Sequence, residues 1–260
     1  MTDVLRVMRD GPVATVVLNR PEKHNAITAE MWRTLPGVLQ ELDHDGGVRV
    51  LVLRGAGQAA FAAGADISEF TRLRAAATTA REYSTLVDAA ERALASFPRP
   101  TIALIHGFCV GGGLELALAC DVRWASRTSR FGITAARLGI IYSALATRRL
   151  ASIVGPSHAR DLLYSGRLVD AGDARAMGLV NMVCEPEVLE AETYGYARLL
   201  AEQAPLSQRG AKLMLQHLVG EGGMTESELA AFVERSYESE DYKEGVRAFL
   251  AGRLPRFRGQ

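Results

Sequence analysis

His106-Gly107-Phe108-Cys109-Val110-Gly111-Gly112-Gly113-Leu114-Glu115, continued by LALACDVRWA to residue 125, is the stretch on which the fold turns. Residues 114–120 are almost wholly apolar and read as a buried helix, and residues 122–125 read as a strand. A helix that begins at a triple glycine inside the protein is an unusual start. Upstream, residues 13–18 (VATVVL), 48–53 (VRVLVL) and 101–105 (TIALI, after Pro98 and Pro100) are β-branched runs between turn residues and predict strands. Between them, residues 28–42 carry Met31, Leu35, Val38, Leu39 and Leu42 at helical spacing, with Pro36 predicting a kink or a late start. Residues 83–97 predict a second amphipathic helix. Strands alternating with helices make this an α/β chain. Downstream of Pro156 the pattern is helical with short extended links at 167–169 and 179–184. Residues 187–250 are helical almost throughout, which suggests a helical cap from about residue 200. The small polar patch at residues 72–81 reads as a surface lid or a flexible segment.

The chain has 260 residues, enough for one large domain, or one domain with a small appendage. Apolar residues make up 48% and charged residues 23%, so a sizeable core is affordable and dominant disorder is excluded. Thirty basic residues balance thirty acidic ones, and the clustered excess of positive charge expected of a nucleic-acid binder is absent. Any anionic ligand must therefore be captured locally. Cys109, Cys120 and Cys184 form no CxxC pair and no disulfide framework, which suits a reducing cytoplasm. The first residues carry no apolar run behind a basic start, and no run of about 18 uncharged apolar residues occurs, so neither export nor a membrane span is expected.

The triple glycine fits neither GxxxxGK[ST] nor GxGxxG, and no GxSxG elbow or HExxH is present. His24, His44, His106, His158 and His217 show no metal spacing, so no metal is expected. Two glycine- and alanine-rich segments remain, residues 61–67 (FAAGADI) and 106–115. Small residues let a ligand approach the main chain, and a glycine at a helix start offers a free N–H with the helix dipole behind it. Two such amides converging on one oxygen make an oxyanion hole, whose loss of a donor costs about 2.7–4 kcal/mol of transition-state stabilisation. Two tight turns packed on their neighbours would use the same residues.

Asn19-Arg20-Pro21-Glu22-Lys23-His24-Asn25-Ala26, residues 61–67 and residues 111–121 together resemble the crotonase family, the enoyl-CoA hydratase/isomerase superfamily. Phe131-Gly132, residues 147–150, Gly166-Arg167, residues 176–180 and residues 244–259 extend the similarity over nearly the whole chain, in order. The resemblance implies a crotonase-like spiral of ββα units over residues 1–198 and a C-terminal helical trimerisation region over residues 199–260. It implies a homotrimer or a hexamer built as a dimer of trimers. It also implies a coenzyme A thioester as substrate, with no separate cofactor. By similarity, the amides of Ala65 and Gly112 hold the thioester oxygen. Ala26, Ala63, Asp66, Ile67 and Ser68 line the path of the coenzyme, and Lys23 either meets a phosphate or is a solvated loop lysine.

Glu115 lies three positions after Gly112, on the first turn of the predicted helix and among apolar neighbours. Burial would raise its pKa toward the range useful for proton exchange at the α carbon; alternatively it complements the helix dipole. Where the family's hydratases place a second glutamate, four residues beyond the Phe131 position, this chain has Ala135. Three outcomes follow. Glu115 alone shuttles a proton between the α and γ carbons in an isomerisation, or supports slow hydration with Tyr142 or Ser143 orienting water. The oxyanion hole serves an acyl-CoA decarboxylase or a thioester hydrolase. Or the protein binds acyl-CoA without turnover. Tyr142 and Ser143 also fit as ordinary core or loop residues.

Overall fold

The computed structural model describes residues 4–260. In chain order the first half forms β1 (Leu5–Asp10), β2 (Val13–Leu18), α1 (Ala29–His44), β3 (Val50–Gly55), β4 (Ala60–Ala62), α2 (Phe70–Leu73), α3 (Ala77–Ala95), β5 (Thr101–Ile105), β6 (Phe108–Val110) and α4 (Gly112–Ala119). The second half forms β7 (Val122–Ser126), β8 (Arg130–Gly132), α5 (Ala144–Ser165), β9 (Leu168–Asp170), α6 (Ala171–Ala176), β10 (Met182–Cys184), α7 (Leu189–Ala201), α8 (Pro205–Leu218), α9 (Glu226–Glu238) and α10 (Glu240–Leu250).

The strands make two sheets, one of order β1-β2-β3-β5-β7-β10 and one of order β4-β6-β8-β9. All pairs are parallel except β1 with β2 and β8 with β9. From β3 through α5 each pass of the chain lays one strand in the large sheet, the next in the small sheet, and then a helix, after which β9 joins the small sheet and β10 the large one. This is the expected spiral of ββα units, with helices on the sheet faces. Every residue of β2 and β5 is buried, which explains why their sequences run apolar without alternation.

The Thr28 hydroxyl accepts the Met31 amide at 3.3 Å and starts α1. The helix then continues through Pro36 from its first residue, Ala29, so the expected late start does not occur. Burial of Met31, Trp32, Leu35, Val38, Leu39 and Leu42 outweighs the roughly 3 kcal/mol that an interior proline costs. Residues 72–81 are a helical corner: α2 ends at Leu73 and α3 starts at Ala77, earlier than residue 83. Their alanines and threonines are compatible with helix, and Thr79 Oγ1 accepts the Ala76 amide at 3.3 Å.

The main core lies between the two sheets and helices α1, α3 and α4. A second cluster joins Val13, Val50, Val52, Ile102 and Leu104 to Leu189 and Ala197 of α7, on the other face of the large sheet. The division expected at 198/199 falls inside α7. Among the described residues no helix is long and apolar enough to cross a membrane.

Candidate active site

The N-terminus of α4 is pressed against the end of β4, and glycine makes that possible. A Cβ at Gly113 would lie 2.4 Å from the Ala62 carbonyl oxygen, and Gly111 turns the chain with φ +52°. Facing this turn, residues 63–66 are braced from below. Arg20 forms an ion pair with Asp66 at 2.9 Å and donates to the Ala26 carbonyl at 2.7 Å. The buried Asn25 amide donates to the carbonyls of Ala60 at 2.7 Å and Ala56 at 3.0 Å. The Ile27 amide donates to Gly64 O and the Asp66 amide to Ile27 O, each at 2.8 Å, which fixes Ala65 between them. The Asn19 to Ala26 motif is therefore a clamp for the loop that carries Ala65.

Between loop and helix lies a cavity of about 120 Å³. A side chain added at Gly112 would begin 3.6 Å from Ala65 N, 3.6 Å from Glu115 Oε2 and 3.1 Å from Trp32 Cζ2. Thus two backbone positions far apart in the chain and one carboxyl surround a single point. Among the described residues neither the Ala65 nor the Gly112 amide meets a backbone or side-chain acceptor. Burial pushes the Glu115 carboxyl well above the usual carboxylate range; nearby Glu91 adds to the shift and Arg74 opposes it. Burial also raises the Tyr142 phenol, whose hydroxyl lies 3.8 Å from the position a Gly111 side chain would take.

Of the residues singled out in the sequence, Ala63, Ala65, Ile67, Gly112, Glu115, Ala135 and Tyr142 line this one cavity. Lys23, Ala26, Asp66 and Ser68 do not. Lys23 is exposed, and Asp66 is spent on Arg20 and on Ser68, whose hydroxyl donates to it at 2.6 Å. Ser143 also lines the cavity, but its hydroxyl accepts the Ala146 amide at 3.2 Å as the cap of α5. The structure adds Trp32, Phe70, Arg74, Tyr83 and Asp88 to the lining. Trp32 Nε1 donates to the Tyr83 hydroxyl at 3.0 Å, tying α1 to α3 across the cavity wall. In sequence, Trp32, Tyr83 and Asp88 fall in the predicted helices at 28–42 and 83–97 and Arg74 in the polar patch at 72–81, and helical spacing does not say which helix faces a ligand.

The family profile described as enoyl-CoA hydratase/isomerase matches residues 9–260. The chain is 34% identical over 249 residues to a short-chain-enoyl-CoA hydratase of Clostridium acetobutylicum, covering 94% of each protein. It is 33% identical over 254 residues to a crotonyl-CoA hydratase of Syntrophomonas wolfei, covering 96% of this chain and 95% of the relative. A crystal structure of an enoyl-CoA hydratase/carnithine racemase from Magnetospirillum magneticum superposes with a TM-score of 0.95 at 38% identity, over 100% of this chain and 97% of that one. The two-sheet spiral is thus shared with a solved structure similar along the whole length, and the chain belongs to the enoyl-CoA hydratase/isomerase family.

Proposed function

We propose that the cavity receives the acyl end of an enoyl-CoA thioester, that the amides of Ala65 and Gly112 hold the thioester oxygen, and that Glu115 carries the proton. The observation that carries this reading is the convergence of Ala65 N and Glu115 Oε2 on Gly112 with both amides unengaged. Charge that develops on the thioester oxygen as an enolate forms would meet two fixed donors at no cost of reorganisation. The Glu115 carboxylate takes a proton from water as its oxygen bonds to the β carbon, and returns that proton to the α carbon. The same group moves a proton between the α and γ carbons in an isomerisation. Ile67, Leu138 and Ile141 form an exposed apolar rim suited to the pantetheine arm. The thioester is itself the substrate, so the chemistry needs no further cofactor, and three unpaired cysteines suit a cytoplasmic enzyme. Helices α8–α10 supply the surface for a trimer or hexamer.

Ala135 stands where a second carboxylate would share the water, and it offers only a methyl group. This favours reactions in which one proton carrier suffices, and it keeps decarboxylation or thioester hydrolysis at the same hole as the second reading. Crotonyl-CoA distinguishes them: hydration removes its enoyl-thioester absorbance with no free thiol, whereas hydrolysis releases the coenzyme A thiol. Glu115→Gln is expected to lose about 10²–10⁴-fold in kcat. The wild-type rate is expected to rise with pH to an inflection above the usual carboxylate range, because only the ionised Glu115 accepts a proton. Ala135→Glu is expected to raise hydration. Acyl-CoA binding with no turnover of enoyl, malonyl-type or saturated thioesters would leave a binding protein instead.

A further inference from the structure

Arg74 is the basic side chain in the cavity wall, and the proposed chemistry leaves it without a task. It follows α2, and its guanidinium carbon lies 4.3 Å from the Phe70 ring centroid and 4.7 Å from that of Tyr83. Among the described residues its guanidinium makes no ion pair and no hydrogen bond, and its Nε is buried without a partner. A buried donor left unmet is costly, and arginine is ordinarily placed to meet a carboxylate, phosphate or carbonyl in its plane. With its carbon held over the two rings and no protein acceptor at its N–H groups, the guanidinium keeps its donors for a ligand. The other ionisable groups lining the cavity are Glu115, Asp88, Tyr83 and Tyr142. Among the described residues none of these groups pairs with Arg74.

We propose that the acyl group carries a carboxylate at its far end and that Arg74 receives it, so that the substrate class is the mono-CoA thioester of a dicarboxylic acid. This rests on the reading above, in which the thioester end lies at Ala65 and Gly112. Arg74 is then a specificity-determining residue, set apart from the groups that move the proton.

Saturated thioesters test this without turnover. Dissociation constants are measured by calorimetry for succinyl-, glutaryl- and adipyl-CoA, each against butyryl-, pentanoyl- or hexanoyl-CoA of the same carbon count. At least one diacid is expected to bind tenfold or more tighter than its monoacid, the range of a charge-assisted hydrogen bond. Arg74→Met is expected to remove most of that ratio, and Arg74→Lys to keep part of it. Equal affinity of every pair in the wild-type protein overturns the inference while leaving the acyl-CoA reading intact, and needs no variant to fold. A loss in Arg74→Met that is equal for monoacids, diacids and free coenzyme A also overturns it, because the arginine would then serve the nucleotide phosphates. Failure of every acyl-CoA to bind removes the reading itself, and the inference with it.

Discussion

Glu91 on α3 is fully buried and shares one cation with another carboxylate. Arg149 Nη1 donates to Glu91 Oε2 at 3.2 Å, while Arg149 Nη2 pairs with Glu221 at 2.7 Å and Nε donates to both Glu221 oxygens. Glu91 Oε1 has no partner. One cation facing two buried carboxylates leaves a place for a proton, and burial pushes Glu91 up to about 7, with Arg149 opposing and Asp88 and Glu221 adding. Between the ordinary value of 4.5 and about 7 the folded chain therefore binds more protons than the unfolded chain, so stability falls as pH rises through that window. Carboxyls held low, such as Asp66 beside Ser68 and Arg20, act with the opposite sign below it. Unfolding free energies from urea titrations at pH 5 and pH 8 are expected to differ by on the order of 1–3 kcal/mol in the wild type, and by less in Glu91→Gln. An equal drop in both proteins would contradict the assignment. At this scale Glu115 was legible because a lone carboxylate in an apolar helix start is conspicuous. Arg74 and Glu91 were not, because a charge on a polar helix reads as solvated until the packing of α1, α3 and α4 decides which side it faces.

Helix α4 is positioned from both ends: glycines admit it to the edge of β4, and the buried Arg123 side chain donates to Cys120 O at 2.8 Å beyond its last turn. The same Arg123 reaches Leu179 O at 2.8 Å and so ties the site's helix to the chain leading into β10. Helix α5 is two helices across Gly155, whose φ of 75° interrupts the ladder just before Pro156. Long strands such as β2 and β5 were legible from β-branched runs. The three-residue strands β4, β6 and β8 were not, since so few residues beside glycine carry no period; edge strand β1 buries only Leu5 fully and shows no alternation. The start of α5 separates two roles for Ser143. A hydroxyl engaged as a helix cap is worth about 1 kcal/mol. Ser143→Ala is expected to lose that much stability by urea titration, and Ser143→Asp to restore it. Loss of turnover in Ser143→Ala at unchanged stability would assign the hydroxyl to the reaction.

As a whole the molecule leaves its last helices unfinished. In α8, Leu215 and Leu218 are exposed, and from the end of α10 Phe249 is 85%, Leu250 80% and Leu254 87% exposed. Scattered apolar residues on a surface need no explanation, but these lie on α8 and at the end of α10, two helices that each pack against α9. Burying one such side chain is worth about 1.5–3 kcal/mol, so a set repeated on identical chains is a strong drive to associate. The proposed trimer would answer it as a closed ring, each copy covering the next with no patch left over. The expected sedimentation mass is three times the chain's 28.1 kDa, or six times if two rings pair. Phe249→Glu combined with Leu250→Glu places charges in the contact and is expected to give a monomer with the helical signal retained. A wild-type monomer at micromolar concentration would overturn the assignment of residues 199–260 to assembly, and would leave the spiral and its cavity to account for activity in a single chain.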